Sequence, residues 1–227
     1  MQQGPSSFCY SYPHPAVTAD TVLFTILQEK LCILLIQRAA EPFRSSWALP
    51  GGFLEIDETP KACAKRELQE ETGIRGVHLE QFHTFGEPAR DPRERVISIA
   101  YLGLAPWNRL SPQAASDARA VAWYPINALP EMAFDHVDII GKARQRLTEL
   151  LAYTTIVFQL MPDSFSLDEL QAVYEILTDD RADKRSLCRR LLTSQALEAV
   201  EEHFFNDQHS RTRLYRPKNQ NQVVILK

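Results

Sequence analysis

The stretch from Gly52 to Ile74, GFLEIDETPKACAKRELQEETGI, restricts this chain more than any other. It reads as a helix with both ends marked. Thr59 followed by Pro60 is a start: a hydroxyl that caps, then a ring that needs no amide proton. Gly73 is a stop, because glycine takes the left-handed conformation past a last turn. Glu67, Glu70 and Glu71 stand three and four positions apart and project from one side, while Ala64 and Leu68 can pack inward. Carboxylates crowded on one face repel each other. Arg66 offers some compensation, and a hard divalent cation offers more, since Mg²⁺ takes carboxylate oxygens and bridges to substrate phosphates. The plainer alternative is a solvated acidic face.

Charge limits the partners. The net charge of −4 leaves no global basic field for nucleic acid, so any DNA contact must come from a local cluster. A composition 44% hydrophobic and 24% charged is that of an ordinary soluble protein, and 227 residues suit one large domain or two small ones. Cys9, Cys32, Cys63 and Cys188 have no CxxC spacing and none suits a zinc site; thiols in a reducing cytoplasm are the expectation. The opening MQQGPSSFCYSYPHP lacks the basic and apolar regions of a signal peptide, and no apolar run reaches the length of a membrane span. Residues 1–15 read as a polar arm.

Strands are predicted over Ala16 to Leu27, Leu31 to Gln37, Val77 to Phe85, Val96 to Leu104 and Ala120 to Pro125. Phe134 to Tyr153 reads as a helix, with Val137, Ile140, Ala143, Leu147 and Leu151 at helical spacing. Asp135 and His136 look catalytic in isolation, or cap this helix. From about Thr154 the pattern changes. Ser166 and Glu169 form a capping-box pair, opening a helix with Leu167, Leu170, Tyr174 and Leu177 on one stripe. Asp183 caps a second helix through Leu192, a polar turn holds Asn206 and Asp207, and two β-like runs, Thr212 to Arg216 and Gln222 to Leu226, are expected to close the chain as a hairpin. Helices followed by a hairpin resemble a winged helix.

Residues 52–74 match the Nudix hydrolase signature G-x5-E-x7-R-E-U-x-E-E-x-G-U, U being a bulky apolar residue, without a break. The resemblance implies an α/β/α sandwich with a mixed sheet over residues 16–153. It also implies cleavage of a diphosphate linked to another moiety, with Mg²⁺ or Mn²⁺, by attack of water on phosphorus. By that resemblance Glu67 and Glu71 would be metal ligands, Glu70 a further or water-mediated one, and the Gly51 backbone carbonyl another. Arg66 would orient the glutamates and Glu58 would support the helix start. The general base would be a signature glutamate or one from a distant loop.

Substrate choice lies outside the signature. Phe85-Gly-Glu-Pro-Ala-Arg-Asp-Pro-Arg93 is similar to a segment of ADP-ribose pyrophosphatases, as are Asp117-Ala118 and Ala133-Phe-Asp-His136. This makes ADP-ribose the expected substrate. Arg90 and Arg93 would grip phosphate or the terminal ribose, or else form a turn with solvated guanidinium groups. Trp47 would stack on a base, or pack beneath the Pro50-Gly51-Gly52 turn.

Residues 154–227 resemble the winged-helix domain of the Nudix-related transcriptional regulators of NAD metabolism. The resemblance rests on Ser166-Leu-Asp-Glu-Leu-Gln-Ala-Val-Tyr-Glu, Asp183-Lys-Arg-Ser-Leu-Cys-Arg-Arg and Thr212-Arg-Leu-Tyr-Arg216. In that family a Nudix domain senses ADP-ribose while the winged helix holds DNA. Lys184, Arg185, Arg189, Arg190 and Arg213 are the candidate DNA contacts, and a homodimer is expected by the same resemblance. Where such regulators carry Gly-Arg-Pro-Ala, this chain has Asn-Asp-Gln-His-Ser-Arg-Thr-Arg, so the wing differs. Ten Lys and Arg against eleven Asp and Glu in this region fit a dimerisation or structural element equally well.

Overall fold

Side chains alternate across the first strands, and that alternation builds a sheet buried on both faces. The computed structural model describes residues 10–110, 112, 118–178, 184–200, 203–204, 211–219 and 223–226, with backbone alone at 109, 184–188, 203–204 and 211–212. In order, the elements are β1 (Ala16–Leu27), β2 (Lys30–Arg38), β3 (Trp47–Ala48), β4 (Gly51–Phe53), α1 (Pro60–Thr72), β5 (Leu79–Phe85), β6 (Val96–Leu104), β7 (Ala118–Pro125) and α2 (His136–Tyr153). There follow β8 (Phe165–Ser166), α3 (Leu167–Thr178), α4 (Lys184–Thr193), β9 (Leu197–Ala199), β10 (His203–Phe204), β11 (Arg211–Thr212) and β12 (Leu214–Pro217).

Seven strands form one mixed sheet in the order β3-β2-β1-β6-β5, with β4 added to β1 and β7 to β2. β1 and β6 run parallel, Ala16 opposite Val96 through Phe24 opposite Leu104. The other pairs are antiparallel. One face of β1 sends Val22 and Phe24 toward Ile139, Ala143 and Leu147 of α2. The other sends Ala19 toward Cys63 and Ala64 of α1, and Leu23 toward Leu68. A helix on each face of a mixed sheet is the expected α/β/α sandwich. Within α2 the buried stripe is Ile139, Ile140, Ala143, Leu147, Leu150 and Leu151; Val137, expected on it, is 52% exposed.

The α2 core continues into the C-terminal region through Ile156, Phe158, Phe165, Leu170, Leu177 and Leu191. The capping box forms as read: Glu169 N donates to Ser166 Oγ (3.1 Å) and Ser166 N donates to Glu169 Oε2 (2.7 Å). The closing hairpin does not form as expected. β12 pairs with β8 and β9, and the hairpin is β10 with β11, earlier in the chain. Residues 223–226 run instead along the end of α2. Thr155 N donates to the Val224 carbonyl (2.9 Å), Val224 N to Thr155 Oγ1 (2.9 Å) and Leu226 N to the Tyr153 carbonyl (2.7 Å). The expected cap Asp183, the Asn206-Asp207 turn and Asp117 lie outside the described residues. Among the described residues no helix is long and apolar enough to cross a membrane.

Candidate functional site

α1 is anchored at both ends, and this aims its acidic face. Thr59 Oγ1 accepts from Ala62 N (3.2 Å), and Gly73, at φ 74°, donates its N–H to the Gln69 carbonyl (2.8 Å). With Cys63, Ala64 and Leu68 buried against the sheet, Glu67 and Glu71 face β4. Gly51 N donates to Glu71 Oε2 (2.9 Å). A Cβ on Gly52 would overlap the Glu67 carboxylate, and one on Gly51 would overlap the Ala19 carbonyl and Asp20. Both glycines are therefore required by close approach, strand to helix and strand to strand.

Arg66 gathers the signature carboxylates. Nη2 and Nε donate to Glu58 (2.6 and 3.1 Å), and Nη1 donates to Glu67 (2.7 Å) and Glu70 (3.1 Å). Nη2 also reaches the Phe53 carbonyl (3.1 Å). This guanidinium holds the Glu58 carboxyl down to about 2. Glu67 goes the other way: burial pushes its carboxyl up, against the pull of Arg66. Glu70 is the most exposed of the Arg66 partners, with 48% of its side chain open.

Glu67 and Glu71 line a cavity of about 440 Å³ whose other walls carry Asp20, Arg38, Arg90, Asp91, Arg93, Phe53, Phe134 and His136. Arg93 grips Asp91 (2.7 and 3.0 Å), and its guanidinium lies over Phe53 (5.2 Å to the ring centre) and Phe134 (5.7 Å). Arg38 lies over the same Phe134 ring at 4.9 Å; burial and the nearby Arg93 lower its pKa. Arg90, its side chain only 4% exposed, makes a two-pronged bond to Asp135 (2.7 and 2.9 Å) and stands 4.0 Å from Asp20. Asp20 also accepts from Ser98 Oγ. His136 Nδ1 accepts from Leu49 N (2.9 Å), which leaves Nε2 toward Asp20 at 4.0 Å. Burial lowers the His136 pKa.

The structure thus brings Glu67, Glu71, Gly51, Arg66, Arg90 and Arg93 to one cavity, with Glu70 beside them on α1. Trp47 is elsewhere: partly buried, its ring packs edge-on to Tyr124 (4.9 Å) against the core. The expected cap at Asp135 is corrected. It occupies the N-cap position of α2 but makes no side-chain cap bond, because its carboxylate is turned to Arg90. Sequence reasoning missed Asp20, Arg38, Asp91 and Phe134. Asp20 did carry a signal, a lone charge inside the apolar run AVTADTVLFTIL. On α4, Arg189 is exposed and Arg190 Nη1 donates to the Ala152 carbonyl (2.6 Å); Arg213 is also exposed. The side chains of Lys184 and Arg185 lie outside the described residues.

Among the described residues no group of three or more His, Cys, Asp and Glu is arranged as a ready metal cage. The oxygens that fit a cation are those of Glu67 and Glu71 beside Gly51 and Gly52 of β4. They form an all-oxygen set of the kind hard divalent ions take, and a cation there would relieve the burial of Glu67.

Comparison with known proteins matches both parts of the chain. Residues 17–143 match the NUDIX domain model, and residues 157–216 match that of the NrtR DNA-binding winged helix domain. The ADPR responsive transcriptional repressor NtrR of Acinetobacter baylyi is 38% identical over 195 residues, covering 84% of this chain and 78% of that protein. The ADP-ribose pyrophosphatase of Methanocaldococcus jannaschii is 40% identical over 129 residues, 57% of this chain and 73% of that protein. The crystal structure of Shewanella oneidensis NrtR complexed with a 27mer DNA superposes with a TM-score of 0.77 at 31% identity, covering 90% of this chain and 94% of that one. The chain belongs to the Nudix hydrolase family, with an unbroken signature helix in its Nudix domain and an NrtR-type winged helix behind it.

Proposed function

We propose that this protein hydrolyses ADP-ribose at its diphosphate, releasing AMP and ribose 5-phosphate. One observation carries the reading: Glu67 and Glu71 line a single cavity together with Arg38, Arg90 and Arg93. A diphosphate between such walls is held by guanidinium groups on one side and by a carboxylate-bound cation on the other. The relatives support the substrate, since one is named an ADP-ribose pyrophosphatase and another ADPR responsive.

Nudix hydrolases generally use divalent metals, and the oxygen set of Glu67, Glu71, Glu70 and the Gly51 carbonyl suits Mg²⁺ or Mn²⁺. When bound, such an ion neutralises phosphate charge and acidifies the attacking water. The chain's own residues do the rest. Arg66, anchored by Glu58, holds the Glu67 and Glu70 carboxylates, and the paired glycines of β4 admit close approach. Arg93, braced by Asp91 and flanked by Phe53 and Phe134, offers a cation and flat apolar faces to phosphate, ribose or base. The free buried thiols Cys32 and Cys63 fit a cytoplasmic setting.

The test is turnover of ADP-ribose with Mg²⁺ or Mn²⁺, read as AMP and ribose 5-phosphate. Glu71→Gln is expected to lower kcat at least about a hundredfold, as for loss of a group that holds transition-state charge. Brisk turnover of another nucleoside diphosphate derivative, with none of ADP-ribose, would sink the substrate while sparing the chemistry.

A second reading, ADP-ribose-responsive DNA binding, is favoured by the winged-helix match and by the exposed Arg189 and Arg213. Binding to duplexes upstream of NAD-synthesis genes is expected at low salt, weakened by ADP-ribose and by Arg185→Ala. Binding indifferent to sequence would remove a regulatory role.

A further inference from the structure

α2 joins the cavity to the winged helix, and each of its ends is completed by a residue from outside the helix. At the N-terminus, Asp135 stands at the cap position, yet its carboxylate is held by Arg90 of the cavity wall rather than by the helix amides. At the C-terminus, the last turn has no basic residue of its own. The cation that a helix C-terminus favours comes from α4: Arg190 donates to the carbonyl of Ala152. Between these ends α2 is continuous over 18 residues, about 27 Å at 1.5 Å per residue. Its middle is tied to the sheet through Arg146 and Glu80 (3.0 Å).

We propose that Arg190 is a positioning residue rather than a DNA contact, and that with Arg90–Asp135 it couples the cavity to α4 through α2. The proposal rests on the ADP-ribose reading above. An anionic ligand competes with Asp135 for the Arg90 guanidinium. Asp135 then has an alternative partner, the Val137 amide of its own helix start, since the His136, Asp138 and Ile139 amides already donate to the Ala133 and Asp135 carbonyls. That gives the N-terminus of α2 two discrete arrangements, and Arg190 carries the difference to α4. Coupling of this kind is reciprocal: ligand weakens DNA binding by the factor by which DNA weakens ligand binding.

The test uses the full chain and a non-hydrolysable methylene analogue of ADP-ribose, read by amide hydrogen exchange. In the wild type, the analogue is expected to slow exchange in the cavity segments 49–53 and 88–93 and to change it severalfold in α4. Arg190→Ala should keep the cavity effect and lose the α4 effect, and Arg190→Lys should restore part of it. Asp135→Asn, acting at the other end, should shift α4 exchange without ligand. Persistence of the α4 response in Arg190→Ala overturns the proposal. So does an α4 segment indifferent to the analogue in a wild type whose cavity is protected, and that outcome leaves the substrate reading intact. No protection at the cavity overturns the substrate reading first. On any duplex that the full chain selects from a random pool, Arg190→Ala should keep the salt slope of the wild type. A slope shallower by about one, the mark of a lost phosphate contact, assigns Arg190 to DNA and overturns the proposal.

Discussion

Gly52 shows how one missing atom sets the site. Its Cα faces the Glu67 carboxylate so closely that a methyl there would overlap it. Glu67 cannot retreat freely, because Arg66 already holds one of its oxygens and is itself held by Glu58. Gly52→Ala is therefore expected to keep the fold and displace Glu67. A shift of about 1 Å at such a group costs about a hundredfold in rate. A variant with wild-type kcat/KM and an unchanged melting curve would refute this. His136 gives a second test at this scale. Burial lowers its pKa below the unfolded value of about 6.5, so below that pH the unfolded chain binds a proton that the native state does not. Stability should fall as pH drops below about 6.5, by at most about 1.4 kcal/mol per unit, until the folded pKa is reached. His136→Gln should flatten that part of the profile in urea melts at successive pH values; an unchanged slope would show that His136 does not set it. Glu67, Glu71 and Arg66 were legible because helical spacing is local and needs no partner. Asp20, Arg38 and the Arg90–Asp135 bond were not. The bonded pair is 45 positions apart, and nothing in either segment reveals that the two meet.

Elements follow the same division between local and distant causes. β1 and β6 occupy the runs read from apolar patterning, and the parallel register between them buries both faces. α1 and α3 begin where hydroxyl caps were read. Ser166 and Glu169 each satisfy the other's backbone amide, so Ser166→Ala removes one bond and leaves a partly buried donor. The expected cost is about 1 kcal/mol. It should appear as a lower midpoint in urea at constant slope, and no shift would mean that water replaces the cap. The closing hairpin could not be read in the same way. Thr212–Arg216 and Gln222–Leu226 are both short β-like runs, and either could pair with any exposed edge. Which edge was free depended on β8 and β9, which are too short to announce themselves.

At the scale of the whole molecule, residues 223–226 add a strap across two modules that already share a buried core. They bond to Tyr153, the last residue of α2, and to Thr155 just past it, where the Nudix sheet gives way to the winged helix. Val223 and Leu226 add apolar cover to the core shared by the two parts. Deleting the chain from residue 223 onward removes three backbone-anchored hydrogen bonds, each worth about 1 kcal/mol net, together with that cover. The loss falls at the junction and leaves the seven-stranded sheet and the cavity untouched. The truncated protein should keep the turnover proposed above and melt in two steps, the α3–α4 region first. Limited proteolysis should then cut near residues 154–163 before any site in the sheet. A single cooperative transition at the wild-type temperature would show that the apolar core through Phe158 and Phe165 holds the junction without the strap. Loss of turnover would show the opposite dependence, with the cavity relying on the far end of α2 for its shape.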